Sequence, residues 1–205
     1  MEQKKKDRLI NYNFFHWGPF LYRTTLIKEE LKKINNLCSK KNNDYRKNLA
    51  GIIKHEHELN SKKLFPIIVH YFQSYLQAFH EHYGHMNTKK YGNKIELKSS
   101  WVNYMIAGES NPLHTHDDDI SFVLFTKIPK DLLSESNKNV GNTKPGDLHF
   151  IYNLGSGKYE INQHSFFPTV GDLFIFPANL HHYVNTFKCK GERVSISGNL
   201  KITDG

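Results

Sequence analysis

The sequence predicts a mainly β chain of the α+β kind: a β-barrel or jelly-roll sandwich with N-terminal helices packed against one face. Three observations predict it. The apolar period is helical up to about residue 84 and changes to two from about Ile95. Gly, Pro, Asn and Asp clusters cut the second half into short segments. Two Gly-Asp turns, Gly146-Asp147 and Gly171-Asp172, each launch an apolar run, as antiparallel barrels do repeatedly.

Taken in order, Phe14 to Arg23 reads as an extended aromatic segment bent at Gly18-Pro19. Thr24-Thr25 is placed to cap a helix over about 26–39, with Leu26, Ile27, Leu31, Ile34 and Leu37 on one face. Residues 62–83 carry the strongest helical pattern, from Leu64 to Phe79, and Gly84 is the expected stop. Strands are expected over 95–106, 120–128, 147–153, 158–162, 171–177, 181–187 and 193–202. Residues 130–145, rich in Ser, Asn and Lys, read as a flexible excursion. One domain is expected over 1–205, with an extended segment and helices in 1–94 and the β core in 95–205.

Composition narrows the class. Hydrophobic content is low at 38%, but 13% aromatic residues supply large buried areas instead, so the chain reads as folded. Residues 1–100 hold 19 Lys+Arg against 9 Asp+Glu, whereas 101–205 hold 9 against 11. The basic excess therefore belongs to the N-terminal half. It leaves an acidic partner open, although a Lys-rich solvated surface is the simpler reading. Cys38 and Cys189 make no metal or redox spacing and fit a reducing cytoplasm. The charged N-terminus has no apolar core of a signal peptide, and no apolar run reaches the roughly 20 residues of a membrane span. The expectation is a cytoplasmic protein with no membrane partner.

Chemistry concentrates in Leu113-His114-Thr115-His116-Asp117-Asp118-Asp119, answered by His181-His182 and then by Arg193-Val194-Ser195. Residues two apart on a strand share a side, so His116 can converge on an ion with either His114 or Asp118. The first register, with His182, makes three imidazoles. The second makes two imidazoles and a carboxylate, the set that holds non-haem Fe(II) with open positions. Both registers stay open. His182 is preferred over His181 because Tyr183 and Val184 continue the strand. Arg193, 11 residues beyond His182, can return on an adjacent strand, where its planar fork suits the far carboxylate of a dicarboxylic co-substrate, with Ser195 on the same side. Tyr104 and Asn103, on the strand before the His cluster, could hydrogen-bond that co-substrate.

At these residues the chain resembles the Fe(II)- and 2-oxoglutarate-dependent oxygenase superfamily, and is most similar to small prolyl-hydroxylase-like members of marine bacteria and phages. The resemblance rests on Asn111 to His116, Ile120 to Leu124, Gly171 to Pro177, Leu180 to Val184 and Glu192 to Asn199. It implies a double-stranded β-helix (jelly-roll) core. It also implies Fe(II) held by a His-x-Asp/Glu pair plus a distal His, which falls on His182. 2-Oxoglutarate would be held by Arg193 with Ser195 as the small hydroxyl two residues on. This chain departs from the pattern if the pair starts at His114, because His116 then stands at the carboxylate position.

The implied activity is a hydroxylase that uses O2 and converts 2-oxoglutarate to succinate and CO2. A polypeptide side chain is the favoured substrate, with nucleic acid or a small molecule as alternatives, in a host cytoplasm if phage-encoded. Gly108, His114-x-His116, then Gly171, Pro177 and His182 are also similar to the two cupin motifs, which would imply a metal protein without 2-oxoglutarate. The cupin Glu is missing, with Ile120-Ser121 there, and Asn179 stands where that pattern has Gly. Arg193-x-Ser195 favours the oxygenase.

Overall fold

The computed structural model describes residues 18–84, 92, 94–141, 144–153 and 161–203. Residues 14–17 of the expected aromatic segment, and 158–160 of the expected strand at 158–162, lie outside them.

Among the described residues, ten strands and three α-helices follow in the order β1 (Tyr22–Thr25), α1 (Lys28–Asn35), β2 (Glu56–Glu58), α2 (Ser61–Tyr83), β3 (Lys94–Met105), β4 (Asn111–His114), β5 (Ile120–Lys127), α3 (Leu132–Lys138), β6 (Leu148–Ile151), β7 (Gln163–Phe166), β8 (Asp172–Pro177), β9 (His181–Val184) and β10 (Arg193–Thr203). A six-stranded sheet runs β1-β8-β5-β10-β3-β2 and a four-stranded sheet β4-β9-β6-β7. Every strand pair among the described residues is antiparallel. This is the jelly-roll arrangement of two sheets face to face, with helices against the outer face of the larger one.

The large sheet is apolar on both faces because it is covered twice. On β5, Phe122 and Leu124 pack with Leu64, Ile68 and Phe72 of α2, while Val123 and Phe125 pack with Leu148, Phe150 and Phe174 between the sheets. β8 divides the same way, Leu173 and Ile175 outward and Phe174 and Phe176 inward. Period-two alternation within a continuous apolar run thus feeds two cores at once. Each such side chain fully buried contributes about 1.5–3 kcal/mol. Asn60 caps α2 by accepting from the Lys63 amide at 3.1 Å, and Gly84 is its C-cap.

Three local expectations are corrected. Thr24-Thr25 does not cap α1; both residues belong to β1 and pair with Leu173 and Asp172. Their backbone is committed to the sheet, so α1 starts later, after Ile27, which makes no side-chain capping bond. The excursion at 130–145 contains α3, pinned by Glu135, whose carboxylate accepts from the Lys188 and Cys189 amides at 2.8 and 2.7 Å. The N-terminal half supplies strands as well as helices, since β1 and β2 form the two edges of the large sheet.

Candidate active site

β4 and β9 pair so that His114 stands directly opposite His182. β4 ends at His114, and two residues on the His116 amide donates to the Ala178 carbonyl at 2.9 Å. One potential ligand atom from each of His114, His116 and His182 lies within 4.8 Å of the others. Ring centroids are 4.2 Å apart for His114–His182, 5.0 Å for His114–His116 and 5.2 Å for His116–His182.

Tautomers follow from the backbone. Nδ1 of His114 lies 2.7 Å from the Pro112 carbonyl, and Nδ1 of His182 lies 2.8 Å from the Leu180 carbonyl. A carbonyl oxygen only accepts, so each Nδ1 carries the proton and each Nε2 keeps its lone pair. This is how ligating histidines are oriented. Burial depresses all three imidazoles, His114 in direction, His116 to about 4 and His182 to about 3, with neighbouring imidazoles adding to the last two. At neutral pH all three are uncharged, the state a metal requires. Phe150 and Phe176 wall His182, ring centroids 6.2 and 4.8 Å away. Three imidazoles on one side of a cavity suit a borderline metal such as Fe(II), so the residues present fit the group.

Asp118 lies outside that cluster. The chain bends through 117–119, and Asp119 ties the bend to β10 through Lys201 and the Ile202 amide. The fold thus brings together the all-histidine register of the two read from the sequence.

The triad borders a cavity of about 230 Å³ that Arg193 and Ser195 also line. Arg193 is buried, its guanidinium 4.5 Å from the Phe125 ring centre, and Nη1 makes a long contact of 3.9 Å to Met105 Sδ. Nε and Nη2 are buried with no hydrogen-bond partner. Burial lowers its pKa to about 9, opposed by Asp147, and it remains charged at neutral pH. Leaving a buried charged donor unpaired costs several kcal/mol, so this geometry calls for a bidentate anion. Asp147, buried with Oδ1 unpartnered and its carboxyl pushed up to about 6 by burial, is the neighbouring acid.

Tyr104 is elsewhere. On β3, Trp101, Asn103 and Met105 line the cavity, while Val102 and Tyr104 join the core under α2. Strand alternation therefore turns Tyr104 away from the site, where Lys40 Nζ sits 5.1 Å from its ring centre, and presents Asn103 instead. Among the lining residues that escaped the sequence reading are Glu56 on β2, and Asn111 as a side chain rather than as part of a motif. Glu56 lies in the polar run His55-Glu56-His57-Glu58, where nothing local tells a buried carboxylate from a solvated one.

The antiparallel jelly-roll thus places a histidine cluster able to hold a metal and a buried, unpartnered arginine on one cavity. Residues 99–199 match the family described as putative 2OG-Fe(II) oxygenase. No curated protein matches the chain. Among solved structures it is similar to an oxidoreductase of the 2OG-Fe(II) oxygenase family from Burkholderia pseudomallei, at 13% identity and TM-score 0.59 over 92% of this chain and 87% of that one. It is similar to a Pseudomonas putida prolyl-4-hydroxylase at 13% identity and TM-score 0.51, over 89% and 92%. The viral collagen prolyl hydroxylase of Paramecium Bursaria Chlorella virus-1, solved as a 2OG complex, is similar at 12% identity and TM-score 0.54, over 89% and 96%. At such identities the likeness is one of fold. The segment carrying most of the jelly-roll core thus matches the model of the putative 2OG-Fe(II) oxygenase family. That family's description names Fe(II) and 2-oxoglutarate, and the histidine cluster of this chain fits the metal.

Proposed function

We propose that the protein hydroxylates a C–H bond of a polypeptide side chain, with His114, His116 and His182 holding Fe(II) and Arg193 and Ser195 holding the far carboxylate of 2-oxoglutarate. The observation that carries the reading is the Arg193 guanidinium, buried on the cavity of the histidine cluster with two donors unpartnered. A cupin-like metal site has no use for such a group.

Bound iron supplies dioxygen activation, coupling conversion of 2-oxoglutarate to succinate and CO2 with transfer of the second oxygen atom into the substrate C–H bond. The chain's residues do the rest. Pro112 and Leu180 carbonyls fix the tautomers of His114 and His182, so two Nε2 lone pairs are aimed before any ligand arrives. Arg193, itself buried and held over Phe125, would bind a carboxylate more strongly than a solvated arginine could. Ser195, on the same face two residues on, adds a hydroxyl donor. Phe150 and Phe176 keep bulk water from the His182 side.

The polypeptide preference draws on the prolyl hydroxylases among the structures of similar fold. Among the described residues no helix is long and apolar enough to cross a membrane. The test is anaerobic loading with Fe(II) and 2-oxoglutarate, followed by air and peptide, nucleic-acid or metabolite pools. Succinate release with gain of one oxygen atom in a peptide is the expected result. Oxygen gain only in the other pools would overturn the substrate, and no succinate from any pool would overturn the reaction.

A further inference from the structure

The large sheet carries a row of side chains across the cavity floor that co-substrate binding does not use up. Ser195 on β10 is directly opposite Asn103 on β3, and Asn103 is directly opposite Glu56 on β2. Facing residues of antiparallel neighbours share a face, and all three line the cavity. With strands about 4.8 Å apart, Glu56 stands about 10 Å along the sheet from Ser195.

Glu56 is 1% exposed, and its Oε2 is buried with no hydrogen-bond partner. Asn103 Oδ1 beside it and Asn111 Oδ1, also on the cavity, are orphaned in the same way. An acid buried for structural reasons recruits donors for its oxygens, because each unmade bond costs about 1–3 kcal/mol. Here the nearby cation is engaged elsewhere: Arg46 is bound to Asp44 by Nε and Nη2. The position of the carboxylate is nevertheless tightly held. A Cβ added at Gly51 would lie 2.4 Å from Glu56 Oε1, so the acid packs against bare backbone. It cannot serve 2-oxoglutarate, since a carboxylate repels a dianion.

We infer that Glu56, with Asn103 beside it, is the specificity-determining end of the primary-substrate pocket and takes a positively charged nitrogen group, an amine or guanidinium. A carboxylate accepts only, and a group with several N–H donors is what satisfies Glu56 Oε2 and Asn103 Oδ1 together. Trp101, two residues along β3 on the same face, has its ring 5.7 Å from that of His116, so an aromatic wall connects the acid to the histidine cluster. Such a wall also favours a cation. Burial and the charge of Glu109 push the Glu56 carboxyl up to about 7, and an arriving cation would draw it back to the ionised form.

The inference rests on the oxygenase reading, and one titration series separates the two. The holoprotein, with Mn(II) replacing iron and 2-oxoglutarate bound, is titrated calorimetrically with butylammonium, butylguanidinium, 1-butanol and butyrate. At least one cation is expected to bind about tenfold or more tighter than 1-butanol, a difference of about 1.4 kcal/mol, with butyrate weakest. Glu56→Gln should erase that preference while the 2-oxoglutarate titration is unchanged. Should Glu56→Gln lose 2-oxoglutarate binding through misfolding, Glu56→Asp must still weaken the cation more than the alcohol. Equal binding of cation and alcohol, no cation binding, or an unaltered preference in the variants overturns the assignment. Failure of the parent to bind 2-oxoglutarate would instead sink the oxygenase reading.

Discussion

His114 and His182 face each other across the β4–β9 pair with ring centroids 4.2 Å apart, and each is oriented by a backbone carbonyl two residues before it. The same device on both strands aims two lone pairs into one space. His116 completes the cluster from the segment after β4.

That arrangement makes the metal ligands separable by substitution. His182→Ala and His116→Ala should each abolish Fe(II) binding and activity. His114→Ala should do nearly the same, whereas Asp118→Ala should leave metal affinity within a few-fold of the parent, since its carboxylate is outside the cluster. Metal content after dialysis decides it. A larger loss from Asp118→Ala than from His114→Ala would restore the carboxylate register.

Arg193→Ala should raise the 2-oxoglutarate requirement by roughly one and a half to three and a half decades. Truncating one partner of a buried charge pair costs about 2–5 kcal/mol. Iron should still bind, because the guanidinium is not in the histidine cluster. Unchanged 2-oxoglutarate dependence would remove Arg193 from the site; a surface ion pair is worth only about 0–1 kcal/mol.

Gly198 sits on β10 between β3 and β5, opposite Ser100 and Phe122. A Cβ there would lie 2.5 Å from the Ser99 carbonyl oxygen and 2.7 Å from Phe122 Cε1. Backbone oxygen in a central strand cannot yield, so Gly198→Ala should cost about 1–3 kcal/mol and lower Tm by several degrees. Gly84→Ala, where nothing lies within 4 Å, is the control and should move Tm little. Equal Tm values for the two variants would show that the sheet relaxes.

The Glu56 carboxyl titrates near its ordinary 4.5 when unfolded and at about 7 in the fold. Between those values the native state keeps a proton the unfolded chain has lost, so this group's contribution to stability falls as pH rises from about 4.5 to 7. Asp147 adds the same sign between 3.8 and about 6, while the depressed imidazoles of the cluster add the opposite sign in both proteins. The difference between Glu56→Gln and parent therefore isolates Glu56. Metal-free Tm should shift in favour of the variant on going from pH 5 to 7.5, and parallel Tm profiles would contradict the buried acid.

The jelly-roll core and the histidine and arginine positions were legible because each rests on short-range pattern. Alternation marks β5, β8 and β10, and His114-x-His116 and Arg193-x-Ser195 place both members of a pair on one side of a strand. Period and spacing are properties of a few consecutive residues, so one chain suffices to read them. Other features depended on contacts distant in sequence. Thr24-Thr25 looks like a cap until β8 is seen to claim its backbone, and Leu132 to Lys138 looks irregular until Glu135 is seen to hold the 188–189 amides. The choice of His114 over Asp118 in the cluster came from β9 lying beside β4 and from Asp119 being tied to β10. Tyr104 and Asn103 are adjacent in sequence, and which of them meets the cavity depended on the side of β3 that α2 covers. Glu56 is the clearest case: whether a carboxylate is solvated, paired or buried alone is a sum over neighbours from the whole chain, and no local pattern carries that sum.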